Sequence, residues 1–241
     1  MNTSNGARTV RVAGTGVALL TLLTACPRPY PPYVPPVTLN FQFPATPVTP
    51  DLRLAAFYFE QDSPEVTAKA KLLGTGYLST YNTTTLSTGT ISMDGSALNA
   101  LKTNAKCVLP FKGGETTGMQ NVVVTPDTVK TCNVYFSLFR DTNGNSLPET
   151  TEELHRTHDL YSYASSAFTY SFTSPDSRSA ETGSRVAGWS VVRHEVLQPS
   201  DTPNRFVVTM NSVPAADEAI AIRLHPDSDR LTSMGANGGL K

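Results

Sequence analysis

The chain has 241 residues, 16% of them charged and 39% hydrophobic, with a formal net charge of −1. That length is enough to bury a sizeable core. The charge balance leaves no basic surplus with which to hold a phosphate backbone, so no nucleic-acid partner is expected.

At the N-terminus a polar stretch carrying Arg8 and Arg11 leads into an apolar run over residues 12–23. A run of this length fits an export leader and falls short of the ~20 residues that a bilayer-spanning helix needs. It closes on Leu23, Thr24, Ala25 and Cys26, which resembles the lipobox of bacterial lipoproteins. The resemblance implies a signal peptide over residues 1–25, removal of that leader, and acylation of Cys26 by palmitate-type chains. The mature chain would then be anchored to a membrane of the cell envelope, at the outer membrane or cell surface.

Three cysteines are an odd number for an exported chain, which usually pairs its thiols. Acylation of Cys26 leaves Cys107 and Cys132, each with apolar residues nearby, and a disulfide between two β-strands is expected of them. Two separately buried thiols are the alternative.

Half of the 18 prolines fall between residues 27 and 50. Proline at that density blocks helix and ladder and favours an extended polyproline form rising ~3.1 Å per residue. Residues 26–50 therefore read as the lipidated cysteine followed by a semi-rigid stalk. Within them Val37, Leu39, Phe41 and Phe43 alternate in the manner of a first strand.

Beyond residue 50, short alternating runs rich in Val, Thr, Tyr and Phe are punctuated by Gly, Pro, Asn, Asp and Ser. Candidate strands are 52–60, 72–80, 85–93, 106–111, 121–125, 129–140, 167–173, 186–197, 205–212 and 219–224. Short helices are expected over 64–73 and 96–103. The fold class is all-β, an immunoglobulin-like or prealbumin-like β-sandwich of one large or two small domains. If two, they are an N-terminal β region over 51–112 and a C-terminal sandwich over 118–225, meeting at the glycine-rich stretch near Gly113 and Gly114. A flexible tail over 226–241 would follow.

After the apolar run that ends near Phe139, oxygen-bearing side chains recur at Asp141, Asn143, Asn145, Glu149 and Glu152. These are positions 1, 3, 5, 9 and 12 of a twelve-residue loop. The segment resembles EF-hand-like Asp-x-Asn-x-Asn calcium loops of bacterial surface proteins. It implies a structural Ca²⁺ held by those side chains and the Leu147 carbonyl. Ser146 stands where such loops carry glycine, and Pro148 follows. A plain polar hairpin, in which Asp and Asn bond their own backbone, is the other reading.

The four histidines, His155, His158, His194 and His225, are dispersed along the chain and are expected at the solvated surface. No nucleophile elbow, Ser-x-x-Lys pair, zinc-helix motif or phosphate loop occurs, so no enzymatic activity is expected. Phe168, Tyr170 and Phe172 share one face of a strand and read as core, as does Trp189, while Tyr161 and Tyr163 are expected to be more exposed.

Two functions from different classes fit these features. The first is a non-catalytic structural or interaction module, such as an accessory subunit of an outer-membrane or S-layer complex, with an envelope protein as partner. The second is capture of a small apolar or carbohydrate ligand on an aromatic strand face.

Overall fold

A computed structural model describes residues 34–62, 68–78, 86–197 and 205–226. The leader, Cys26, most of the proline-rich segment and the tail beyond Pro226 lie outside the described residues. The described residues belong to one compact unit.

The protein is all-β. Its strands are β1 (Val37–Pro44), β2 (Leu52–Glu60), β3 (Lys69–Leu78), β4 (Leu86–Met93), β5 (Leu109–Pro110), β6 (Gln120–Thr125), β7 (Lys130–Arg140) and β8 (Glu153–Arg156). They continue with β9 (Leu160–Ala164), β10 (Phe168–Thr173), β11 (Ser179–Arg185), β12 (Gly188–Leu197), β13 (Phe206–Ser212), β14 (Ile222–Arg223) and β15 (His225–Pro226). A single path of paired strands runs β14-β1-β4-β3-β2-β7-β9-β12-β13-β11-β10-β6. Pairing along it is antiparallel except for β1 with β14 and β11 with β13.

The layering comes from the middle of that path. On one face of β7, Val134, Phe136 and Leu138 join a core with β1, β2, β4 and β14, and the Phe41 and Phe136 rings meet at 5.0 Å. Because β1 lies four strands from β7 along the path, this contact requires the N-terminal wing to fold back over the central strands. Neighbouring residues take opposite sides: Tyr161 and Val191 belong to this first core, whereas Leu160 and Val192 belong to a second, built with β6, β10 and β13. The sandwich is thus made by one sheet whose two wings cover opposite faces of β7, β9 and β12.

Several sequence expectations meet the structure directly. β2 occupies the expected 52–60, and the alternation from Val37 forms β1, inside the stretch assigned to the stalk. Helix α1 (Gly95–Leu101) begins where Asp94 caps it, accepting from the Ser96 N–H at 2.9 Å, and buries Leu98 and Leu101. The helix expected over 64–73 is replaced, from Lys69 on, by β3. Pairing of Lys69 with Glu60 and Ala70 with Phe59 overrides the helical preference of Ala, Lys and Leu. β8, β9, β11 and β15 lie outside the candidate strand ranges.

The stretch from Lys112 to Gly118 carries no break. It is a series of turns pinned inward by Glu115, whose carboxylate receives the Thr131 hydroxyl and pairs with Arg185 at 3.2 Å.

Cys107 and Cys132 are disulfide-bonded with Cα atoms 5.1 Å apart. Cys132 lies in β7, but Cys107 lies in a turn before β5 and not in a strand. The pair closes a loop of 25 residues beneath Leu101, Tyr163 and Trp189. Opening it with the double substitution Cys107→Ala and Cys132→Ala lowers stability by about 3 kcal/mol in urea titration, and a loss within error would show that the surrounding packing alone fixes this corner.

Candidate functional site

Three places gather chemistry-bearing side chains. The first is the loop between β7 and β8. Its ends are closed by Arg140 N–H to the Glu152 carbonyl at 3.0 Å and by Asp141 N–H to the Asp51 carbonyl at 2.8 Å. Inside, Ser146 N–H donates to Asp141 Oδ1 at 3.2 Å, Asn145 N–H to Asn143 Oδ1 at 2.9 Å and Leu147 N–H to Asn145 Oδ1 at 2.8 Å. Each short polar side chain thus folds the backbone around itself. Gly144 and Ser146 take positive φ of 73° and 61°. Serine therefore adopts the left-handed turn at the position where the resembling loops use glycine, with its N–H tied to Asp141.

The carboxylates are used unequally. Glu152 Oε1 accepts from the Thr142 N–H at 2.9 Å and from its hydroxyl at 2.5 Å, while the buried Oε2 has no partner among the described residues. Glu149 Oε1 accepts from both Asn143 Nδ2 and Asn145 Nδ2. Arg53 approaches Asp141 Oδ2 at 3.8 Å. Among the described residues no three His, Cys, Asp or Glu side chains are gathered closely enough to hold a metal by themselves. A cation here would draw on amide and backbone oxygens as well. The buried Glu152 Oε2 is the one loop carboxylate oxygen that is both buried and without a donor among the described residues, while Asp141 is nearly buried and accepts from Ser146 N–H.

The second place corrects the expectation of solvated histidines. The His158 ring lies 5.0 Å from that of His194 and 5.4 Å, nearly parallel, from that of His225. Strand pairing does this: β15 binds back on β8, next to the turn that leads into β9, and β12 supplies His194. Burial first, then the neighbouring His194, His225 and Arg156, pushes His158 down to about 3. Burial and His225 push His194 down to about 4. Asp159 holds the cluster to β12 by accepting from His194 N–H at 2.9 Å and from Arg193 Nη1 at 2.7 Å. His155 stands apart on Thr46, with its Nε2 3.1 Å from the hydroxyl.

The third place is the aromatic ladder, which is core. Phe168, Tyr170 and Phe172 are all buried, and Tyr170 lies flat over Gly183, where a Cβ would come within 2.3 Å of the ring. The Arg185 guanidinium sits 5.2 Å from the Phe111 centroid and 5.5 Å from that of Tyr170. It reaches the Ser162 hydroxyl and the Glu115 carboxylate. Tyr170 donates to Glu181 Oε1 at 2.8 Å, and burial pushes the Glu181 carboxyl up to about 7. Tyr161 departs from its expected exposure: it is 5% exposed and stacks on Trp189 at 5.2 Å. Phe168, Tyr170 and Phe172 therefore present no open face to a ligand.

Comparison of the chain with protein-family models, curated proteins and solved structures finds no match.

The histidine cluster sets a pH dependence. In the folded chain His158 and His194 stay neutral down to about pH 3 and 4, whereas unfolded histidines take a proton below about pH 6.5. Their contribution is complete above pH 6.5 and is lost as the pH falls toward the folded values. Glu181 acts in the opposite sense, stabilising while neutral and losing that contribution as the pH rises through about 7. Comparing the chain with its His194→Gln variant isolates the histidine effect. The urea midpoint of the unsubstituted chain falls more steeply between about pH 6.5 and 4, and parallel pH profiles would rule the buried neutral histidine out.

Proposed function

We propose that this chain is a lipid-anchored, non-catalytic β module of a bacterial cell envelope, acylated on Cys26 and docked to an envelope protein such as an outer-membrane or S-layer assembly. The observation that carries the reading is the Cys107–Cys132 disulfide, a bond characteristic of oxidising compartments outside the cytosol. It leaves Cys26, next to the lipobox-like Leu23-Thr24-Ala25, as the one cysteine without a thiol partner. A calcium ion in the loop from Asp141 to Glu152 belongs to the same reading as a structural brace. Asp141, Asn143, Asn145, Glu149 and Glu152 would offer side-chain oxygens and Leu147 its carbonyl, in a loop already turned by its own side-chain hydrogen bonds. Binding there would stabilise the hairpin between β7 and β8 by mass action.

In cells fed labelled palmitate, the chain takes up label and fractionates with membranes, and Cys26→Ser abolishes both. Label retained by the Ser variant would refute the anchor. Gentle detergent extraction followed by affinity capture recovers a stoichiometric envelope protein with the native chain. For the loop, melting in excess chelator occurs below melting in millimolar calcium, and Glu152→Gln removes the difference. Superimposable melting curves for the native chain would eliminate the ion.

A further inference from the structure

On the outer face of β1, β4 and β3 a large aromatic ring stands in water beside a groove. Alternation along β4 turns Ser87, Gly89, Ile91 and Met93 inward and leaves Thr88 and Thr90 outward. β1 likewise turns Leu39, Phe41 and Phe43 inward and presents Asn40 and Gln42. Register sets Tyr77, Thr90 and Asn40 in one row across the three strands, with Thr88 and Gln42 paired in the next position but one. Two strand spacings make that row about 10 Å long. Tyr77 is 81% exposed.

A wall rises along one side. After the 3-10 turn Ala215–Asp217, the chain carries Ala219 and Ala221 against β1, where Asn40 Nδ2 donates to the Ala219 carbonyl at 3.2 Å. Arg193 Nη1, itself fixed on Asp159, donates to the Ala221 carbonyl at 3.3 Å. The groove between wall and ring has a volume of about 470 Å³, and its lining residues are uncharged.

We infer that this groove binds a neutral glycan, with a sugar ring stacked on Tyr77 and its hydroxyls bonded by Gln42, Thr88 and Thr90. Each alternative ligand class lacks something the groove would have to supply. A nucleic acid or anionic polymer needs several cationic side chains, and this face offers one, Arg223, opposite Gln42 on β14. An added peptide strand would lie along a sheet edge, whereas this groove opens on the face of β1, β4 and β3, where β14 pairs β1 at Phe41 and Gln42 and β2 pairs β3. A lipid chain needs a closed apolar pocket, whereas this groove is open and mixes amides and hydroxyls with its carbon surface. A pyranose has both an apolar C–H face for a tyrosine ring and a rim of hydroxyls for amides that donate and accept.

The test uses the full chain in a non-glycosidic detergent, with maltohexaose, cellohexaose and chitohexaose as probes in isothermal titration and saturation-transfer NMR. At least one probe binds and shows transfer from the tyrosine ring. Tyr77→Ala weakens that binding about tenfold or more, as loss of one aromatic stacking contact implies. Gln42→Ala weakens it several-fold, and the melting temperature of each variant stays unchanged because both side chains sit on the outer face. Absence of binding to all three probes overturns the inference, as does a Tyr77→Ala chain that binds as the native one does.

Discussion

Strand β7 has almost no solvent-facing side: along its eleven residues only the Lys130 position is fully exposed. One face is apolar, with Val134, Phe136 and Leu138 in the first core. The other is mixed, and each of its polar groups is answered. Thr131 bonds Glu115, Asn133 accepts from Ser162 at 2.7 Å, and Ser137 donates to Glu153 at 3.0 Å. A strand buried on both faces cannot be satisfied by one layer, so the two wings of the sheet must fold to opposite sides. The disulfide, the turns from Lys112 to Gly118 and the loop after Arg140 all attach to this strand, and their positions follow from it.

The polar face explains an otherwise expensive feature. Arg185 is 3% exposed, and a lone buried guanidinium would cost far more than the fold could bear. It is kept by three aromatic rings, the Glu115 carboxylate and the Ser162 hydroxyl. Burial there also acts on Glu181, which accepts from Tyr170 and holds its proton to about pH 7. Removing one member of such a network costs more than the pairwise contact suggests, because the remaining charge stays buried.

Where apolar alternation is strong, the sequence was readable. β2 and α1 fell where expected, and Phe168, Tyr170 and Phe172 were legible as core. β11 was not, because its inward residues are Ser179, Glu181, Gly183 and Arg185, a period of two without a hydrophobic signal. The histidine cluster was hidden for a different reason: His158, His194 and His225 come from distant segments that only strand pairing brings together. Of the loop after Arg140, the donor residues were legible but not the amide bonds that occupy Glu149. The groove beside Tyr77 carried no local motif at all, since its parts lie on β1, β3, β4 and the segment after Asp217.

The eight consecutive residue pairs of β1 with β4, together with the parallel contact of β1 with β14, have a mechanical meaning. A force applied through the residues preceding Val37 pulls β1 along its own axis. Its hydrogen bonds to both neighbours lie across that axis, so they are loaded together in shear and do not open one after another. Under such a force the first strand is the part best placed to resist being drawn out.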